Sequence, residues 1–66
     1  MLIRDFTKPE IEYLISQCNF TDDERTYFIL KSKDKSNIQI AIEMNISEAQ
    51  VSRLAKRVKT KIRKIL

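Results

Sequence analysis

Residues 36–54, SNIQIAIEMNISEAQVSRL, read as two helices joined by a tight turn. Ala41 is small where two helices have to cross closely, and Ile40, Met44, Ile46, Val51 and Leu54 supply the apolar contacts between them. Asn45 ends the first helix in a left-handed turn, a conformation that Asn tolerates better than any residue except Gly. Ser47 caps the second helix: its hydroxyl can accept from the backbone N–H of Gln50, and Gln50 can reach back, as in a capping box.

The same punctuation recurs upstream. Thr7 followed by Lys8, Pro9 and Glu10 is a capping box with proline in the first turn, where its missing N–H costs little. It predicts a helix over about 8–18. Thr21, Asp22, Asp23 and Glu24 repeat the signal and predict a helix over about 22–32, with acids in its first turn and Lys31 near its end, as the helix dipole favours. Ser36 with Gln39 opens a third helix of about 37–44. A fourth runs over about 48–64, because Val51, Leu54, Ala55, Val58, Ile62 and Ile65 recur at intervals of three or four. The expectation is an all-α, tetrahelical domain spanning residues 1–66.

Composition removes several functions. The chain has 66 residues, 42% of them hydrophobic and 33% charged, with no glycine, one proline, one cysteine and no histidine. A disulfide within the chain, histidine-based acid/base chemistry and an ordinary zinc site are all excluded, so neither an enzyme nor a cofactor or metal protein is expected. Cys18 falls on the apolar stripe Ile11, Leu14, Ile15, Cys18 and reads as a core thiol. The longest apolar run, Tyr27 to Leu30, is far below the roughly 20 residues needed to span a bilayer, so no membrane partner and a cytoplasmic location are expected.

The net charge of +4 is unevenly placed. Residues 1–30 carry three bases and six acids, residues 31–50 three of each, and residues 51–66 seven bases and no acid. Such a one-sided field at the C-terminal end points to a polyanionic partner.

The stretch from Phe20 to Leu54, about half the chain, resembles without gaps two bacterial groups: the LuxR-type effector domain of response regulators and region 4 of sigma factors. Phe20, Thr21, Glu24, Tyr27, Phe28 and Leu30 stand where those families have Leu-Thr, a Glu and an apolar set. Ser36, Ile40, Ala41, Met44, Ile46, Ser47, Val51 and Leu54 follow their helix-turn-helix pattern. The resemblance implies that the fourth helix is a recognition helix for duplex DNA. The chain departs from the pattern where Asp34 and Asn45 replace glycines, and where Ile29, Ile38 and Ile42 replace charged or polar residues. It departs again where Glu48 and Ala49 stand in place of the Arg and Glu with which sigma factors read promoter bases.

On that reading Ala49, Ser52, Arg53 and Lys56 lie opposite the buried stripe of the fourth helix. Arg53 can bind guanine O6 and N7, Ser52 can bond several base edges, and Ala49 can touch a thymine methyl. Glu48 either accepts from cytosine N4 or only complements the helix N-terminus, and Gln50 is divided between adenine and the capping box. Lys56, Arg57, Lys59 and Lys61 read as phosphate contacts, joined by Ser36 and Asn37 unless these two are plain caps. Two apolar sets are left over. Ile38 and Ile42 are covered by the first helix or form a docking patch for a protein such as RNA polymerase. Ile62 and Ile65, with Leu66, pair C-terminal helices in a homodimer or are covered by Leu2, Ile3 and Phe6. The expected function is a sequence-specific transcriptional regulator of bacterial or phage type. The alternative is a sigma-like interaction protein that docks on RNA polymerase or another regulator without reading DNA.

Overall fold

The computed structural model describes residues 3–66, and it is all-helical. A short 3-10 turn over Ile3–Asp5 precedes α1 (Lys8–Gln17), α2 (Asp22–Ser32), α3 (Asn37–Met44) and α4 (Glu48–Ile65). The four helices agree with their expected bounds to within one residue.

Each helix starts at the residue its local chemistry selects. Thr7, Thr21, Ser36 and Ser47 all sit in extended conformation, and each forms both halves of a capping box, with Glu10, Glu24, Gln39 and Gln50. Asn45, at φ 57° and ψ 46°, is left-handed. Its N–H donates to the Ile42 carbonyl at 3.2 Å and that of Ile46 to Ala41 at 3.0 Å, the paired bonds of a Schellman turn. A chain without glycine places Asn19 (φ 50°), Asp34 (φ 64°) and Asn45 at its positive-φ positions, the residue types that bear this conformation at least cost.

Four residues of α4, Val51, Leu54, Val58 and Ile62, are buried along one stripe, and this helix packs on α1, α2 and α3. Leu14 and Cys18 from α1, Tyr27 and Phe28 from α2, and Ile40 and Ala41 from α3 complete the core, with Ile3. Phe28 is fully buried, and its ring meets those of Phe6 and Phe20 at centroid distances of 6.3 and 5.3 Å in tilted geometry, the arrangement that aromatic quadrupoles favour.

Two expectations are corrected here. Ile62 is fully buried and belongs to the core, so it offers nothing to a partner. The reason is that α4 packs on α2 and α1 as well as on α3, while the amino-terminal turn adds Ile3 and half-buried Phe6 to the same cluster. Leu2, expected to share that covering role, lies outside the described residues. The second correction concerns α1, which packs on α2 and α4 and makes no contact with α3. Ile38 and Ile42 are therefore left 59% and 74% exposed.

Candidate nucleic-acid interface

Burying one stripe of α4 forces the other residues outward. Ala49, Ser52, Arg53, Lys56, Arg57, Thr60, Arg63 and Lys64 are all exposed, and Lys59 is half-buried. An 18-residue helix is about 27 Å long at 1.5 Å per residue. Its open face carries small residues near the N-terminal end, Arg53 and Lys56 in the middle, and Arg63 and Lys64 at the far end.

Shallow grooves flank this helix on both sides. Toward α3, one of about 380 Å³ is lined by Asn37, Ser52, Ala55, Lys56, Lys59 and Arg63. Toward α2, one of about 170 Å³ is lined by Asp23, Ile46, Gln50, Arg53, Leu54 and Arg57. Farther along that second side Arg57, Thr60, Lys61 and Lys64 line another with Glu24. Cations thus border α4 on both flanks. A rod with small and bidentate groups at its crest and positive charge on either side is complementary to a groove walled by two phosphate strands.

The expected site residues separate into three groups. Ala49, Ser52 and Arg53 share the exposed crest, with Glu48 exposed one residue earlier at the start of the helix. Lys56, Arg57 and Lys59 border it. The third group is already occupied. The amide oxygen of Gln50 accepts from the Ser47 N–H at 3.0 Å, so the bidentate adenine contact is closed unless the cap opens. The Ser36 hydroxyl accepts from the Gln39 N–H at 3.2 Å, and Asn37 Oδ1 accepts from Lys31 Nζ at 3.3 Å.

Lys61 is a correction. Its ammonium donates to Glu24 Oε1 and, at 3.2 Å, to the Asn19 carbonyl. It ties the last turns of α4 to the start of α2 and leaves the phosphate set. Burial pushes the Glu24 carboxyl up, but hydrogen bonds from Lys61 and from the Thr21 backbone and hydroxyl, with the Lys61 charge, outweigh that and hold it below its ordinary value.

Arg63 and Lys64 are the residues that sequence reasoning left unassigned. The signal was present: Arg63 follows Lys56 by seven residues, two helical turns, and so shares its face. Lys31, which meets Asn37 at the head of α3, had no such signal because it comes from another helix.

Among the described residues no helix is long and apolar enough to cross a membrane. The structure defines a small all-α domain whose longest helix exposes a basic face. No protein-family model matches the chain, and no curated protein or solved structure is significantly similar to it.

Proposed function

We propose that this chain is a duplex-DNA-binding regulator that lays the open face of α4 in the major groove. The observation that carries the reading is the division of α4 into a buried apolar stripe and an exposed face bearing Arg53, Lys56, Arg57, Arg63 and Lys64 with no acid beyond its first residue. Arg53, Ser52 and Ala49 supply base contacts, and the flanking cations supply sequence-independent affinity. The chain acts as a binding module, by occupying an operator or by contacting the transcription machinery there.

The test is an electrophoretic shift titration on random duplexes and on duplexes selected for binding from a random library. About five phosphate contacts, from Lys56, Arg57, Lys59, Arg63 and Lys64, predict a slope of log affinity against log salt of about −4.5. Enrichment of a sequence motif with that slope supports the proposal; no binding at low salt overturns it. Salt-dependent binding without any selected motif favours the second reading, docking on RNA polymerase or another regulator without base reading, to which the exposure of Ile38 and Ile42 lends support.

A further inference from the structure

Arg53 and Arg57 are four residues apart, so they stand one turn from each other on the same side of α4. That side borders the groove of about 170 Å³ toward α2, and the groove is lined by a single acid, Asp23. Its floor is apolar. Leu54 is buried and Ile46 half-buried, while Asp23, Gln50, Arg53 and Arg57 are exposed around them. An aspartate side chain is short, so its charge stays beside the groove in any rotamer.

The acids on either side of Asp23 in the sequence are engaged elsewhere. Asp22 pairs with Arg25 at 2.7 Å, and Glu24 pairs with Lys61. Among the described residues, none of Asp23, Arg53 and Arg57 is in an ion pair. The amide oxygen of Gln50 is held by the Ser47 cap, so Asp23 is the one anion that faces the two guanidinium groups. The α3 flank of α4 is different: Lys56, Lys59 and Arg63 line its groove of about 380 Å³ without any acid.

The difference bears on what Arg53 binds. A guanidinium grips phosphate as well as the O6 and N7 edge of guanine, because both offer two acceptors to its fork. Phosphate repeats along every duplex and carries a full charge, so an arginine reads bases only where phosphate is kept from it. A fixed anion beside the arginine does this, since it repels phosphate and leaves the uncharged guanine edge unopposed.

We propose that Asp23 is a specificity-determining residue, whose carboxylate excludes phosphate from the part of the α2 flank beside Arg53 and so reserves Arg53 for bases. Arg57 also borders the next groove along, with Thr60 and Lys64, and meets phosphate from there. The inference rests on the duplex-DNA reading above, but its first test uses no DNA.

NMR of the arginine side-chain Nε–H signals follows the full chain during titration with inorganic phosphate at constant ionic strength. In wild type the Arg63 signal moves and that of Arg53 does not; in Asp23→Asn both move. Asp22→Asn, which removes the same charge one residue earlier and outside the groove, behaves as wild type. Electrophoretic shift titrations then compare selected with random duplexes. Asp23→Asn binds random duplex more tightly, with a salt slope steeper by about 0.9 for one added phosphate contact, and its preference for the selected sequence falls roughly 5-fold or more. Asp22→Asn keeps the wild-type preference, and Asp23→Asn no longer lowers the preference once Arg53 is replaced by alanine. Circular dichroism melting checks that the exposed-site variants fold, and Asp23→Ser stands in for Asp23→Asn if that one does not. An Arg53 signal that moves with phosphate in wild type, an Arg53 signal that stays still in Asp23→Asn, or an unchanged preference in Asp23→Asn overturns the proposal. Failure of wild type to bind any duplex defeats the DNA reading instead, and the phosphate titration still decides whether Asp23 guards Arg53.

Discussion

Replacing Lys61 by methionine keeps the aliphatic stem and removes the ammonium that anchors α4 to α2. Glu24 is 3% exposed and the Lys61 side chain 33% exposed. After the change the Glu24 carboxylate retains the Thr21 N–H at 2.9 Å and loses its counter-charge. Rupture of a fully buried pair costs roughly 3–5 kcal/mol, and a hydrogen bond to a charged group is worth roughly 1.5–3 kcal/mol. Partial exposure of the ammonium screens the interaction, which brings the expected loss to about 2 kcal/mol. That is a large share of the ~3–10 kcal/mol available to a domain of this size. It lowers the melting temperature by about 8–16 °C.

Urea and thermal unfolding at several pH values measure the effect and its origin. The folded-state pKa of Glu24 is depressed below its ordinary 4.5. Its contribution to stability is therefore fully present above the unfolded value and is lost as pH falls below about 4.5 and through the depressed folded value. In Lys61→Met this acid-side loss becomes shallower, since Lys61 supplies much of the depression. Glu10, also held low by its bonds to Thr7, titrates in both proteins and cancels in the comparison. Adding Glu24→Gln to Lys61→Met recovers most of the stability, because the orphaned charge disappears while the amide oxygen still accepts from Thr21. A single variant as stable as wild type with an unchanged acid limb, or a double variant no better than the single, refutes the reasoning.

Three further outcomes are expected. Arg53→Ala removes discrimination at one base pair by roughly 1–3 kcal/mol, whereas Lys59→Ala weakens all duplexes alike and flattens the salt slope by about one unit; equal effects of the two on selected and random DNA contradict the division of α4 into crest and flank. Asn45→Ala destabilises by roughly 1–2 kcal/mol in urea unfolding, since a β-carbon without a polar side chain is forced left-handed, and Asn45→Gly is neutral or better; indifference to alanine removes the Schellman turn from the account. Cys18, whose thiol is pushed up by burial against a small opposing effect of the Lys61 charge, reacts with an aromatic disulfide reagent far more slowly in the folded chain than in urea, and equal rates place it outside the core.

What the sequence disclosed was local. A capping box involves residues three apart, so all four helix starts were readable, and Asn45 and Asp34 marked left-handed turns where the resembling families have glycine. The periodicity of α4 identified its buried stripe and hence its open face, which is most of the candidate site. What stayed hidden was pairing over distance. Glu24 and Lys61 are 37 residues apart, and a run of seven bases gives no sign that one is turned inward. Periodicity placed Ile62 on the apolar stripe of α4 without showing how far the body reaches along that stripe. The destination of α1 was equally silent: its stripe needed a partner, but spacing alone did not choose α2 and α4 over α3.

Glu24 joins the local and the distant levels in one atom. Its Oε1 accepts from the Thr21 N–H, which closes the capping box of α2, and the same oxygen accepts from Lys61. The box and the ion pair share one carboxylate oxygen, so the local cap and the long-range contact depend on the same rotamer. At the other end of α4, the left-handed Asn45 and the Ser47 cap fix where the helix begins relative to α3. A helix held at its first turn by a cap and near its last by an ion pair cannot rotate about its axis without losing one of them. The stripe of Val51, Leu54, Val58 and Ile62 opposes rotation in the same sense, because turning it outward exposes four buried side chains at roughly 1.5–3 kcal/mol each. The angular position of Arg53 on the surface is therefore set by groups other than Arg53, and a change at Lys61 alters how firmly α4 presents Arg53 without touching Arg53 itself.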